Sequence, residues 1–424
     1  MDELPRFAVS LKVEQDIHYS IISELLNRQG ILCERWSEDA EYSCTIGQDV
    51  EFQIEEIEAH FERLAGISDQ LYIEDKLSSV PLDDFAENLA ESVKQFLFGK
   101  GLPYVRIANW PNFEPACAII THDIDTLNNP PAGKGVEFAK YAMTRKVKKQ
   151  PYNDNIQNIK DIENKHGINA SFYFFPDYGK HQAHFKTILG QLDKKDEIAL
   201  HGTQHSFQSA ATLEKEKKEL ENITGIKIVG TRQHGLNFMV PHTWRYQEKA
   251  GLEYDLTHSY NDKFGFRAGT CLPFHPFDSL IKERFDILEL PTSYMDWTAL
   301  HHGMDYSAMM MKIKELCAVV EQHNGVFIPI FHNMYINEKS HPDVTKSFDD
   351  TTKYLKEKKY WITTARECTA WWKKRENVKL DISFDSNALT VNSDTRIPIE
   401  IFYPDGKIKR VIVESGKKTE IIND

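Results

Sequence analysis

The segment Ala116-Cys-Ala-Ile-Ile-Thr121-His-Asp123-Ile-Asp125 decides the fold. Its first five residues are apolar, and polar residues follow at once. This order is typical of a buried parallel strand that delivers polar side chains to the open end of a sheet or barrel. Residues two apart on a strand point to one side, so we expect Asp123 and Asp125 to share a cavity. Two carboxylates at that distance need a cation or a shared proton, although this segment taken alone could also be a solvated acidic turn.

The chain that follows alternates strands and helices. Alternation across roughly 250 residues predicts an α/β fold with a parallel sheet, either doubly wound or closed, and we favour a distorted (β/α) barrel. The predicted strands are 116–120, 170–175, 197–200, 227–230, 285–290, 326–331 and 360–363. The predicted helices are 155–166, 212–224, 304–323 and 348–359.

Two flanking regions have different patterns. Residues 1–110 indicate a small α/β domain without a chemical motif, which a proline-containing linker at 109–115 follows. Residues 377–424 contain short alternating runs between turn signals such as Pro404-Asp-Gly, which predict a small antiparallel β module. We therefore expect three domains, at 1–110, 111–376 and 377–424. The last is expected to pack on the barrel, with glycan binding as an alternative role.

The composition argues against several classes of function. The 424 residues carry a formal net charge of −13, which disfavours a broad nucleic-acid surface. No apolar segment approaches the ~18 residues that span a bilayer, and the N-terminus lacks the pattern of a secretory signal, so we expect a cytoplasmic protein without a membrane span. The six cysteines are scattered without a CxxC pair, so neither a zinc knuckle nor a disulfide framework is indicated.

A second polar group begins where the predicted strand 197–200 ends. In His201-Gly-Thr-Gln-His205, the spacing of four places both imidazoles on one face if the segment turns helically, and neutral imidazole suits zinc and similar metals. Such a pair is weak evidence alone, since 17 histidines are spread through the chain and pairs often lie on surface helices. Combined with the two aspartates, it predicts an Asp/His/His metal site with room for water.

These two segments resemble the first two motifs of the polysaccharide deacetylases, carbohydrate esterase family four, whose shared unit is the NodB-homology domain. The Asp-x-Asp form is similar to a subgroup whose enzymes act on sugars and also on non-peptide cyclic amides. Thr231-Arg232-Gln-His234 resembles the third motif, although His234 stands where the family usually has a proline. His332, at the end of the predicted strand 326–331, corresponds to the general acid of the fifth motif. The resemblance covers residues 116–372.

The resemblance implies a metal site, a base and a barrel of the deacetylase type. Asp125, His201 and His205 would hold a divalent metal, for which zinc is the first candidate and cobalt, nickel or manganese are alternatives. Asp123 would be the general base that removes a proton from the attacking water. Arg232 would orient this carboxylate and keep it ionised, unless it is only a surface ion pair.

Three more residues are candidates for the reaction. His332 would protonate the leaving amine, because an amine leaves poorly as an anion, and its structural alternative is a capped core histidine. Trp297 and His275 are candidates for binding the substrate. A large aromatic residue at a barrel mouth can stack on a sugar ring, but it is as often part of the packing.

The sequence therefore predicts a metal-dependent hydrolase that removes an N-acyl group, acetyl before others, from an amino sugar in a glycan or its precursor. Its partner would be a saccharide or another N-acylated small molecule. Two alternatives stay open. One is metal-dependent hydrolysis of a non-sugar amide or imide. The other is a non-catalytic glycan-binding protein, against which the joint presence of a base and metal ligands argues.

Overall fold

The computed structural model describes residues 8–13, 15–35, 43–46, 49–50, 54–67, 78–125, 155–176, 182–384, 388–416 and 419–422. The N-terminal elements are β1 (Ala8–Leu11), α1 (Asp16–Arg28), β2 (Cys33–Arg35), β3 (Ser43–Ile46), α2 (Ile54–Leu64), α3 (Pro81–Gly99) and β4 (Tyr104–Ile107). The central elements are β5 (Cys117–Ile119), β6 (Thr121–Ile124), α4 (Ile156–His166), β7 (Ser171–Phe174), α5 (Gln182–Leu189), β8 (Glu197–Gly202), α6 (Ala210–Thr224), β9 (Gly230–Gln233), α7 (His242–Lys249), β10 (Tyr254–Asp255), β11 (Phe277–Asp278), β12 (Glu283–Arg284), β13 (Leu288–Glu289), β14 (Tyr294–Met295), α8 (Asp296–His301), α9 (Tyr306–Gln322), β15 (Val326–Phe327), β16 (Pro329–Ile330), α10 (Pro342–Glu357), β17 (Trp361–Thr363) and α11 (Ala365–Glu376). The C-terminal elements are β18 (Leu380–Phe384), β19 (Ala388–Ser393), β20 (Ile397–Phe402), β21 (Ile408–Val413) and β22 (Thr419–Ile422).

Eight parallel strands form the central sheet. Their order is β13-β10-β9-β8-β7-β6-β16-β14, and every neighbouring pair is parallel. Among the described residues, the end strands β13 and β14 do not pair with each other, so the sheet forms a half-barrel. The predicted α/β class with a parallel sheet is confirmed, and the barrel is open at one side.

The segment that opens the central region forms two strands instead of one. β5 pairs with β15 and β17 in a separate parallel sheet, whereas β6 lies in the large sheet between β7 and β16. Residues 121–124 are therefore part of a strand, and the predicted strand 116–120 ends too early. β9 likewise lies further along the chain than predicted, at Gly230–Gln233 instead of 227–230. Polar side chains are tolerated inside both strands because they find buried partners, as described below.

Alternation along β7 separates two apolar cores. Phe172 and Phe174 point outwards and pack, together with Ile124 of β6, in the cluster that the helices cover. Tyr173 points inwards and packs in a second cluster that also contains residues of the C-terminal strands. Side chains at alternate positions of β6 are divided in the same way, so the inward positions are those that can build a site.

The four predicted helices are present as α4, α6, α9 and α10. Four further helices, α5, α7, α8 and α11, are not predicted by the sequence pattern. α5 and α7 have eight residues each and α8 has six, too few for a hydrophobic period to stand out. α11 has 12 residues and a Thr364 N-cap, whose hydroxyl accepts a hydrogen bond from the Glu367 amide.

The C-terminal strands form two small sheets, and one of these sheets includes a strand from the N-terminal region. β18, β19 and β22 form one antiparallel sheet, and β21, β20 and β4 form another, which confirms the antiparallel pattern at the C-terminus. β4 comes from the predicted N-terminal domain, so the two flanking regions complete one sheet. Trp110 of the predicted linker is fully buried and donates from Nε1 to the carbonyl of Asn324 at 2.8 Å. The domain boundaries stay predictions.

Within the described ranges, no helix has the length and apolar character to cross a bilayer.

Candidate metal centre and active site

Asp123 lies on β6 beside a buried guanidinium. Its side chain is 4% exposed, and Oδ1 accepts a hydrogen bond from Arg232 Nη1 at 2.6 Å. Arg232 also donates from Nη2 to Thr121 Oγ1 at 3.0 Å, and its guanidinium lies 4.5 Å from the centre of the Tyr173 ring. Burial raises the pKa of Asp123, but Arg232 and the nearby imidazoles outweigh burial and hold this pKa below its ordinary value. The carboxylate is therefore kept ionised, as a general base requires.

Asp125, His201 and His234 form a cluster next to this carboxylate. Asp125 Oδ1 lies 3.2 Å from His201 Nε2 and 3.3 Å from His234 Nδ1, and the two nitrogens are 3.2 Å apart. Asp123 Oδ2 lies 3.8 Å from His201 Nε2. Asp125 follows β6, His201 is on β8, and His234 follows β9. The carboxyl ends of parallel strands meet at one edge of the sheet, which is how distant segments of the chain converge here.

The chemistry of the three side chains fits a divalent metal. His201 Nδ1 lies 2.9 Å from the carbonyl oxygen of Arg232, which can only accept, so Nδ1 carries the hydrogen. In the neutral ring, Nε2 then presents its lone pair to the cluster. Asp125 Oδ1 is buried, and within the described part of the chain no donor meets it with hydrogen-bond geometry. Asp125, His201 and His234 could hold an ion such as zinc, because their ligand atoms all lie within 4.8 Å of one another.

The charges in the cluster are coupled. Burial raises the pKa of Asp125, but the contacts with His201 and His234 outweigh burial and hold this pKa well below its ordinary value. The contact with Asp125 in turn raises the pKa of His234. A metal needs neutral imidazole, so a proton and an ion compete for His234.

His332 faces the cluster with one ring nitrogen and contacts Asp296 with the other. His332 follows β16, its Nδ1 lies 2.5 Å from Asp296 Oδ1, and its backbone N–H donates to Asp296 Oδ2 at 2.7 Å. His332 Nε2 lies 3.9 Å from Asp125 Oδ2. Burial lowers the pKa of His332, but Asp296 outweighs burial and raises this pKa to about 10. At neutral pH the ring therefore holds two protons, and Nε2–H points towards the cluster.

His205, the second member of the expected ligand pair, is exposed and lies outside this cluster. His201 and Gly202 still belong to β8, and a short 3₁₀ helix begins only at Ser206. The chain is therefore extended at His201, and the four-residue spacing does not place both imidazoles on one face. The structure brings His234 to the position that we expected His205 to take.

His275 also lies away from the cluster. It is buried, with Nδ1 3.0 Å from the carbonyl oxygen of Phe285 and Nε2 3.0 Å from Glu376 Oε2. Its backbone N–H donates to Glu24 Oε1 at 3.0 Å. His275 thus connects α1, α11 and the segment before β13, and each of its hydrogen bonds goes to these structural neighbours.

Trp297 directly follows Asp296, the partner of His332, in the sequence. Its indole is 40% exposed and stacks on His301, with ring centres 5.0 Å apart and an angle of 7° between the planes. The Trp297 backbone N–H donates to Asp296 Oδ1 at 2.7 Å. An exposed, rigid aromatic face therefore adjoins the residue that orients His332.

Two residues of the arrangement, His234 and Asp296, were not among the residues predicted from the sequence. His234 was noted only as a departure from a motif, although its position at the end of a strand was a usable signal. Asp296 follows the two-residue strand β14, which periodicity cannot detect. Asp123, Asp125, His201, Arg232 and His332 do lie together, and their roles stay predictions.

Several solved structures resemble this chain. One that carries the description polysaccharide deacetylase, from Mycobacterium smegmatis, aligns with 64% of this chain and 94% of its own, at 16% identity and a TM-score of 0.48. A mutant of the peptidoglycan deacetylase PdaC from Bacillus subtilis aligns with 62% of this chain and 95% of its own, at 13% identity and a TM-score of 0.34. A CE4 family pseudoenzyme from Bacillus anthracis aligns with 61% of this chain and 66% of its own, at 12% identity and a TM-score of 0.36.

No protein-family profile matches the sequence, and no curated protein matches it. At identities of 16% or less and TM-scores below 0.5, the structural similarities assign no activity to this chain.

Proposed function

We propose that this chain is a metal-dependent amide hydrolase that removes an N-acyl group, acetyl before others, from an amino sugar in a glycan or glycan precursor. One observation carries the proposal. A buried carboxylate held ionised by a guanidinium and a histidine held protonated by a second carboxylate both face one Asp/His/His cluster. Binding alone requires neither an ionised base nor a protonated acid at such a place.

Asp125, His201 and His234 would hold the metal. When bound, such an ion polarises the acyl carbonyl and lowers the pKa of water towards about 7. Asp123 Oδ1 is occupied by Arg232, whereas Oδ2 faces the cluster and is the oxygen that would accept a proton from the attacking water. Arg232 keeps this carboxylate ionised until that transfer.

His332 would complete the reaction as the general acid. The amide carbon gains a bond to the water oxygen and loses its bond to nitrogen, while His332 Nε2–H donates a proton to the departing nitrogen. Asp296 holds Nδ1, so Nε2 is the nitrogen that is free to donate. The products are a free amine and a carboxylic acid. Asp123 then releases the proton that it accepted, and His332 regains one from solvent.

The surface beside the site supports a saccharide as the substrate. Trp297 presents an exposed ring that stacks on His301, and flat aromatic faces can stack on the apolar face of a pyranose. A small cyclic amide or imide would need no such platform outside the reacting group. Hydrolysis of a non-sugar amide is therefore the second candidate, and a cytoplasmic location stays a prediction.

The test is acetate release from a panel of N-acetylated mono- and oligosaccharides by protein loaded with zinc or cobalt, with cyclic imides in parallel. Acetate release from saccharides supports the proposal. Hydrolysis of the cyclic imides alone favours the second candidate function. Bound metal without turnover of either class would contradict hydrolysis and favour a glycan-binding protein. Metal analysis of protein that was purified without added metal provides the reference for each assay.

A further inference from the structure

A buried polar array lies behind β6, on the side opposite the candidate site. His122 is fully buried on the helix-facing side of the strand, with ring centres 5.0 Å from Phe172 and 5.3 Å from Phe348. The surrounding cluster is otherwise apolar. A polar ring in such a place is costly unless each nitrogen is hydrogen-bonded, so its partners explain why it is there.

Both ring nitrogens of His122 have a partner. Nδ1 lies 3.0 Å from the carbonyl oxygen of Phe331, and Nε2 lies 3.0 Å from Glu163 Oε1. A carbonyl oxygen only accepts, so Nδ1 carries a hydrogen and donates it to Phe331. This bond joins β6 to the segment that follows β16.

Glu163 is itself held by a buried lysine. Lys160 Nζ lies 2.6 Å from Glu163 Oε2, 2.5 Å from Asp196 Oδ2 and 2.9 Å from Asp193 Oδ2. Burial lowers the pKa of Lys160, but these carboxylates, Glu163 first, outweigh burial and raise it. The charged lysine therefore keeps the Glu163 carboxylate in place, and α4 and the turn before β8 brace the His122 ring.

The bond to Phe331 lies where the pairing of β6 with β16 ends. These strands share one register pair, Ile330 with Thr121, and the last ladder bond runs from the Phe331 N–H to the Thr121 carbonyl at 2.9 Å. Among the described residues, the Phe331 carbonyl has no partner in this ladder and accepts the hydrogen bond from His122 Nδ1 instead. His122 precedes Asp123 and Phe331 precedes His332, so one imidazole links the neighbours of the proposed base and the proposed acid.

We propose that His122 is a positioning residue that sets the separation of Asp123 and His332 through its hydrogen bond to the Phe331 carbonyl. The inference rests on the proposed function for its catalytic meaning. A purely structural role is a poor explanation, because buried ionic arrays stabilise proteins little compared with apolar residues of similar volume.

Two substitutions separate the two bonds of the ring. An asparagine amide nitrogen comes near the position of Nδ1, so His122→Asn keeps a donor for Phe331. A glutamine amide nitrogen comes near Nε2, so His122→Gln keeps the contact with Glu163 and loses the one to Phe331. Phe348→Leu, which removes the ring packed edge-on against His122, is the matched control for loss of core packing.

We expect His122→Gln to lower kcat at least 10-fold with KM and metal content unchanged, whereas His122→Asn and Phe348→Leu stay within 3-fold of the wild type. Equal kcat losses in His122→Asn and His122→Gln at matched stability would overturn the inference.

Hydrogen exchange of the His332 amide, which donates to Asp296, gives a readout independent of turnover. It should quicken in His122→Gln and not in His122→Asn. If the wild-type protein releases no acetate, the proposed function fails on that assay, and unchanged exchange in both variants separately refutes the positioning role.

Discussion

At the scale of single residues, the site depends on which atom each side chain presents. Arg232 occupies Asp123 Oδ1 and leaves Oδ2 facing the cluster, while its carbonyl oxygen holds His201 Nδ1. Asp296 holds His332 Nδ1 and leaves Nε2 facing Asp125. In each of these side chains, a hydrogen bond occupies one polar atom and leaves the other polar atom facing the cluster.

The choice of metal ligand is the first prediction at this scale. His234→Ala removes a proposed ligand that lies 3.3 Å from Asp125 Oδ1, whereas His205→Ala removes an exposed imidazole outside the cluster. We expect zinc affinity to fall at least 100-fold in His234→Ala and to change less than 3-fold in His205→Ala, as isothermal titration calorimetry would show. The reverse order would restore the ligand pair that the sequence suggested.

The base is the subject of the second prediction. Asp123→Asn keeps the shape of the side chain and removes the charge that would accept the proton in the proposed reaction. We expect kcat to fall by roughly 10²–10⁴, the usual contribution of a general base, with zinc binding nearly unchanged. Loss of the metal in Asp123→Asn would show instead that this carboxylate is a ligand.

The pH dependence of turnover follows from Asp296. As the proposed acid, His332 would act only while protonated, so we expect activity to fall as the pH rises through its pKa, which Asp296 raises to about 10. Asp296→Asn removes the charge that opposes the effect of burial, so this pKa drops. We expect the alkaline limb of the kcat profile to move to lower pH in Asp296→Asn and to stay in place in Trp297→Phe. An unmoved limb would exclude His332 as the acid.

At the scale of elements, the order of strands in the sheet assembles the site. β9, β8, β7, β6, β16 and β14 are consecutive neighbours, and the site residues lie on or shortly after β6, β8, β9, β14 and β16. Close packing between neighbouring strands keeps this geometry. Gly230, at the start of β9, lies so near to Tyr254 that an added Cβ would meet the ring carbon Cζ at 1.8 Å.

Gly230→Ala tests that packing. Tyr254 is fully buried, and its hydroxyl donates to Glu197 Oε1 at 2.6 Å, so the ring has no room to move aside. We expect a loss of about 1–3 kcal/mol in the free energy of unfolding, measured by urea denaturation. Gly99→Ala is the control, since nothing lies within 4 Å of an added Cβ there, and it should change stability by less than about 0.5 kcal/mol.

At the scale of the whole molecule, buried cations join the N-terminal region to the half-barrel. Arg375 of α11 donates to the carbonyls of Asn27 and Arg28 at 2.7 and 2.9 Å, beside the end of α1. Arg28 is itself paired with Asp83 of α3, whose Oδ2 accepts a hydrogen bond from the Cys271 amide at 2.7 Å. Hydrogen bonds thus join the N-terminal helices α1 and α3 to two parts of the central region, α11 and the segment at Cys271.

Acid stability is the prediction at this scale. His60 is buried in α2 against Phe85, and burial, with Arg63 and Arg28 adding to it, lowers the pKa of His60 from 6.5 to about 4. The unfolded chain therefore takes up this proton first, so the stabilisation is complete above pH 6.5 and is lost as the pH falls towards 4. Urea midpoints across this range should fall in the wild type and fall less in His60→Leu. Parallel slopes in both proteins would contradict the assignment.

Local pattern carried much of the architecture. Apolar runs such as 170–175 and 197–200 identify strands because a parallel strand covered on both faces must be apolar along its length. The polar residues that interrupt such runs, Asp123 and Asp125 among them, could be recognised because little except a site explains charge at the end of a buried strand. The alternation of strands with helices predicted the parallel sheet for the same kind of reason.

Which side chains contact each other in the site was decided by the tertiary structure alone. His205 and His234 are equally plausible ligands by composition, and only the pairing of β8 with β9, together with the extended backbone at His201, brings His234 to Asp125. Asp296 reaches His332 across 36 residues because β14 pairs with β16, and two-residue strands have no local signature. The geometry of a site depends on contacts between segments that are distant in the chain, and residue spacing records only contacts within one segment.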